Sequence, residues 1–90
     1  MDINWFKENI RIQDKYQIEY SFFTNGDFGD LIRVEFENVN KGGNVDFWSS
    51  GWLNIHIVSY DTGLELLNVL LEPNQEKEKE KAFNELKQLL

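Results

Sequence analysis

The sequence predicts an α+β fold: a single antiparallel sheet of about five strands, arranged as a meander, with an N-terminal and a C-terminal helix. Three observations predict it. Segments between residues 17 and 72 alternate apolar and polar side chains, or run apolar, over lengths suited to strands. The gaps between them are short and rich in Gly, Asn and Asp, which joins neighbours in the chain as neighbours in the sheet. The two ends instead repeat apolar residues at spacings of three and four, the period of a helix.

Residues 2–12 are predicted as the first helix, because Ile3, Phe6 and Ile10 form a stripe that Trp5 broadens, and Asp2 is placed to cap it. Asp14 and Lys15 make a short link. In QIEYSFF (17–23), Ile18, Tyr20 and Phe22 fall on one side and Gln17, Glu19 and Ser21 on the other, the pattern of strand one. TNGDFGD (24–30) supplies Asn25, Gly26 and Gly29 for a turn. LIRVEFENV (31–39) alternates Ile32, Val34 and Phe36 against Arg33, Glu35 and Glu37 as strand two. NKGGN (40–44) is read as a second turn, since two glycines permit positive φ.

VDFW (45–48) is then a short strand three, closed by SSG, and WLNIHIVSY (52–60) is strand four. Asp61, Thr62 and Gly63 have the chemistry of a tight hairpin turn. LELLNVLL (64–71) is apolar on both sides, which suits a strand covered on both faces or a leucine-rich helix. The hairpin turn before it and the short run to Pro73 favour the strand. Pro73 and Asn74 open the last helix, with Asn74 as its cap. Its first half, EKEKEK (76–81), is charged all round and reads as a solvated face; Phe83, Leu86, Leu89 and Leu90 should dock on the sheet. Residues 1–90 are read as one domain, with the two helices as the only cover for one face of the sheet.

Composition narrows the function. The apolar fraction of 41% suits a globular chain. There is no cysteine, so there is no disulfide framework, thiolate nucleophile or cysteine-ligated metal. MDINWFKENI does not read as a signal peptide, and no run approaches the ~20 apolar residues of a membrane span. These readings place the protein in the cytoplasm. The net charge is −7, and its distribution is uneven. Acids and bases balance in residues 1–16 and in 73–90, whereas residues 17–72 hold nine acids against only Arg33 and Lys41. A surface that grips nucleic acid needs the opposite sign, so direct DNA or RNA binding is disfavoured. A basic protein partner is favoured, with mere solubility as the plain alternative.

Catalysis finds little footing. His56 is the sole histidine and lies mid-strand, where a partly exposed sheet histidine is ordinary. Ser49 and Ser50 precede it without a nucleophile-elbow pattern. Asp27 and Asp30 flank Gly29 but lack the spacing of a calcium loop, so no metal is expected. No phosphate-binding glycine motif is present, and none of the sixteen acids is marked out as a glycosidase pair. The expectation is a non-enzyme without cofactor. The remaining signal is the polar side of the strands, where acids interleave with Trp and Tyr as in a protein interface. By the same alternation Phe47 falls on the opposite, apolar side and should be core, whereas Trp48 should point outward. Trp52 favours core, and the two tryptophans could instead close the sheet by packing on each other or under a helix.

The opening NWF helix, GGNVDFWSSGWLNIH (42–56), LLNVLLEP (66–73) and the leucine-tipped final helix carry a resemblance. In layout the chain resembles the immunity proteins of bacterial polymorphic-toxin and contact-dependent-inhibition systems. That resemblance implies binding to one co-produced toxin domain, often a basic nuclease, with its active site or substrate access blocked. The contacts expected are Glu35, Glu37 and Asp46 against toxin Lys or Arg, with Trp48, His56, Tyr60 and Asp61 beside them. The alternative is a self-associating structural or regulatory module, a homodimer through an uncovered sheet face or edge strand.

Overall fold

The computed structural model describes residues 1–12 and 14–90. Helix α1 (Ile3–Asn9) precedes strands β1 (Gln17–Gly26), β2 (Gly29–Glu37), β3 (Lys41–Trp48), β4 (Leu53–Ser59) and β5 (Glu65–Leu71), and helix α2 (Glu76–Leu89) follows. The strands form one sheet in chain order, β1-β2-β3-β4-β5, each antiparallel to the next. This is the meander expected of hairpin-linked strands, and the fold is α+β.

Period-two alternation gives the sheet two unlike faces. On the inner face, Phe36, Val34 and Ile32 of β2 lie beside Gly43, Val45 and Phe47 of β3. These in turn lie beside Ile57, Ile55 and Leu53 of β4. Both helices cover this face. Phe6 of α1 meets Phe47 edge-on with ring centroids 5.8 Å apart, and Phe83 of α2 lies 6.3 Å from Phe47. Trp5 and Phe83 join the two helices at 4.8 Å. The outer face, which carries most of the strands' charge, is left uncovered.

Several local expectations are corrected. The first helix ends at Asn9 rather than residue 12: Ile10 is extended, so that Ile10, Ile12 and Tyr16 all reach the core. Asp2 does cap it, its carboxylate accepting from Trp5 N at 2.9 Å. The NKGGN stretch is not a turn. β3 starts at Lys41, and Gly42 and Gly43 pair with Glu37 and Phe36 inside the sheet; the turn sits one step earlier, where Asn38 Oδ1 accepts from Asn40 N and Lys41 N. β5 is a strand, yet it is not covered on both faces. A bulge opposite Ile57 and Val58 interrupts the alternation at Leu66, which leans on the core, whereas Leu70 stays exposed on the outer face.

α2 is capped differently from expectation as well. Gln75, not Asn74, occupies the N-cap position, and its side chain accepts from Glu72 N at 2.7 Å. Nor is the lysine-glutamate run wholly solvated. Lys79 is buried, and its ammonium donates to Gly51 O at 2.8 Å and Pro73 O at 3.0 Å, tying the β3–β4 loop to the link before α2. Its apolar stem lies along the protein while the charge satisfies two backbone carbonyls.

Candidate functional site: the open face of the sheet

The outer face has three zones along the strands. At one end β3 contributes Gly42, which pairs with Glu37 of β2 and Val58 of β4. A glycine here leaves a gap in the side-chain layer, and a hollow of about 440 Å³ opens over it. Gln17, Glu19, Glu35, Glu37, His56 and Tyr60 are among its walls. Tyr60 bends back from the β4–β5 turn across Gly42, so closely that a Cβ on Gly42 would collide with the phenol oxygen. Gly43 is needed for close approach instead: a Cβ there would run into the His56 backbone carbonyl and crowd the Phe36 ring.

The charges in this hollow are unbalanced. Glu19 and Glu35 sit directly opposite each other across β1 and β2. Like charges in that position destabilise a sheet. Among the described residues, no ion pair joins Glu19, Glu35 or Glu37 to a base. Partial burial of the Tyr60 phenol, reinforced by the neighbouring Glu37 carboxylate, holds its pKa above the usual tyrosine range. His56 faces Asn44 and Asn68, and its Nε2 lies 3.0 Å from Glu65 Oε1, so its ring is tied to β5.

The middle zone is an ion pair. Arg33 and Asp46 are cross-strand partners, with Nε to Oδ1 at 2.8 Å and Nη2 to Oδ2 at 3.0 Å. The bidentate bond to Asp46 raises the pKa of the guanidinium, against a smaller opposing effect of burial. Arg33 also reaches over the Phe23 ring, 5.7 Å from its centroid.

The far zone is aromatic. Phe28, from the β1–β2 loop, stacks on Trp52 at 4.4 Å with planes 6° apart and meets Trp48 edge-on at 5.5 Å. The two tryptophans therefore sandwich neither each other nor a terminal helix; they hold Phe28. Two loops make this possible. Asp30 N donates to Ser49 Oγ at 2.9 Å, Ser49 N donates to Asp30 O at 2.7 Å, and the Ser50 hydroxyl donates to Phe28 O.

The expected contacts are thus divided among three places. Glu35, Glu37, His56 and Tyr60 come together at the hollow, and Asp61 lies exposed in the turn directly after Tyr60. Trp48 lies on the same face but at its aromatic end. Asp46 is only 2% exposed and engaged by Arg33, so it is a structural carboxylate rather than a free contact. Glu19, Gln17 and Gly42 belong to the hollow but were not among the expected contacts. Alternation alone places Glu19 on this face; its facing Glu35 needs the register, and reading Gly42 as a turn residue hid the floor.

Among the described residues, no helix is long and apolar enough to cross a membrane, and no group of three or more His, Cys, Asp or Glu is placed to hold a metal ion. The chain matches no family model, no curated protein and no solved structure.

Proposed function

We propose that the chain is an immunity-type inhibitor, a cytoplasmic non-enzyme that binds one basic toxin domain in a stoichiometric complex through the open face of its sheet. The observation that carries this reading is the hollow over Gly42, where Glu19, Glu35 and Glu37 gather around Tyr60 and outnumber Arg33, the base in the lining, which is already engaged by Asp46. A sheet that keeps two opposed carboxylates tolerates a cost that an incoming Lys or Arg would relieve. The hollow is wide enough for such a side chain, and the tyrosine ring offers a face to a cation. The Phe28–Trp48–Trp52 group supplies an apolar contact at the other end, so that acid and aromatic zones flank the internally satisfied Arg33–Asp46 pair.

Such a surface would cover a toxin site built for phosphates, and attraction between opposite charges would speed encounter. The test starts with a pull-down from the native host, eluted in high salt and identified by mass spectrometry. The expected product is one basic domain. The triple change Glu19→Gln, Glu35→Gln and Glu37→Gln should then weaken binding to that domain at least 100-fold by calorimetry while far-ultraviolet circular dichroism is unchanged. Retained affinity in the triple variant would remove this face from the proposal.

A further inference from the structure

The meander ends in two free edges, and they are unlike. β5 has α2 beside it, whereas the outer edge of β1 pairs with no other strand among the described residues. Natural edge strands are commonly guarded by lysine, proline or inward charge. β1, QIEYSFFTNG, contains no Lys, Arg or Pro and only one charged residue, Glu19. It runs in regular register with β2 from Gln17 to Phe23, and the irregularity that could blunt it comes only after Phe23.

Two features on the inner side of this edge match each other. Phe22 shares that side with Ile18 and Tyr20 but is 73% exposed, since neither helix reaches it. Nearer the start of the strand, α1 and β1 leave a groove of about 300 Å³ lined by Phe6, Ile10, Ile12, Ile18 and Tyr20, with Lys7, whose ammonium lies 4.7 Å from the Tyr20 ring centroid, at its rim. The knob and the groove are therefore on one strand and one side, about four residues or roughly 13 Å apart.

We infer that two copies of this chain pair edge to edge through β1, antiparallel about a twofold axis at Tyr20, each placing Phe22 in the groove beside Ile18 of the other. In that register residue 18 of one copy faces residue 22 of the other, so one operation fills both grooves. This is the self-complementarity an isologous contact requires. Residues facing one another lie on the same side of the joined sheet, so the outward N–H and C=O groups of both strands can meet. Charge selects the same edge. A chain of net charge −7 repels its own copy over most of its surface, but here each Glu19 would lie opposite Ser21 of the other copy rather than another acid. The occupant is thus a second copy rather than a strongly basic partner, for which β1 offers one carboxylate. Pairing about seven residues a side, against the roughly 20–30 of a standard interface, puts the contact below the ~1,200–2,000 Å² typical of stable complexes, so the dimer should be weak and reversible. It needs no toxin, and it goes beyond the inhibitor reading: the outer-face hollow remains open in it.

Sedimentation equilibrium of the full chain, from micromolar to millimolar concentration, tests the inference. The wild type should pass from one to two chain masses, and Phe22→Lys should raise the dissociation constant at least tenfold. Val39→Lys, at an exposed position of the β2–β3 turn, should leave it unchanged. Because the chain has no cysteine, Tyr20→Cys provides an independent readout: facing Cβ atoms in an antiparallel pair are about 4.5–5.5 Å apart, so mild oxidation should yield a disulfide-linked dimer, whereas Thr62→Cys should not. A monomer at every concentration, or a dimer indifferent to Phe22→Lys and uncrosslinked by Tyr20→Cys, overturns it. Those outcomes leave the outer-face acids untouched as a binding site, so the two readings fail separately.

Discussion

Asp46 shows why a carboxylate on the right face of a strand is not thereby a contact. The alternation of VDFW puts it outward with the other acids, but the register puts Arg33 directly across from it, and the pair is satisfied. Removing the arginine would strand a buried charge. Arg33→Ala is expected to lower stability by roughly 2 kcal/mol in urea denaturation, less than the 3–5 of a fully buried pair because the guanidinium is partly exposed. Tyr60 makes the opposite case: a residue in the first turn after a strand, yet central to the hollow. Its phenol titrates above the usual range because of partial burial and then Glu37. Glu37→Gln should therefore lower the pKa read from phenolate absorbance, without returning it fully to the ordinary value. A raised native pKa stabilises the fold below the unfolded value near ~10 and loses that contribution as pH rises through the native one, so Tyr60→Phe should flatten the alkaline limb of the stability profile. The Arg33–Asp46 pairing was not legible from residue types, because it depends on which residue lies opposite; Tyr60 was an expected contact, but the gap over Gly42 that it fills was not.

At the scale of elements, period and turn chemistry carried the reading a long way. Strands β1, β2, β4 and β5 fall within a few residues of their expected bounds, as do both helices, because β1, β2 and β4 alternate cleanly, a hairpin turn and Pro73 bound β5, and each helix carries an apolar stripe. The failures have physical causes. Gly42 and Gly43 look like a turn because glycine usually serves φ, but here they serve space: one lies under Tyr60, the other over Phe36. The consequence is a contrast between neighbours. Gly43→Ala would drive Cβ against the His56 backbone carbonyl, which cannot swing away, and is expected to cost about 1–3 kcal/mol. Gly42→Ala meets only the end of the exposed Tyr60 side chain and should cost within about 1 kcal/mol while moving the tyrosine out of the hollow. The lysine-glutamate run misled for a related reason. Charge-rich sequence reads as solvated, and nothing local reveals that the Gly51 carbonyl lies within reach of Lys79. Lys79→Ala should destabilise by about 1–2 kcal/mol in thermal unfolding, whereas Lys77→Ala and Lys81→Ala should stay within about 0.5.

On the scale of the molecule, the excess of acid in residues 17–72 maps onto a sheet whose apolar side is covered and whose charged side is not. The sequence alone could not say which face the helices choose, although the stripes on both helices demanded an apolar surface. If binding uses the charged side, affinity for a basic partner should fall steeply between low and moderate salt, measured by calorimetry at several ionic strengths. The arrangement of the chain ends has another consequence, in the order of folding. Every strand pairs with its neighbour in sequence, so the sheet can assemble hairpin by hairpin as the chain leaves the ribosome. Its cover cannot. Trp5 and Phe6 wait for Phe83, which follows all five strands in the chain, so the nascent sheet has a half-bare apolar face until α2 has emerged. Chains stopped after Glu72 should therefore be aggregation-prone in a solubility assay, and the final helix acts on the growing chain as the latch that ends its exposure.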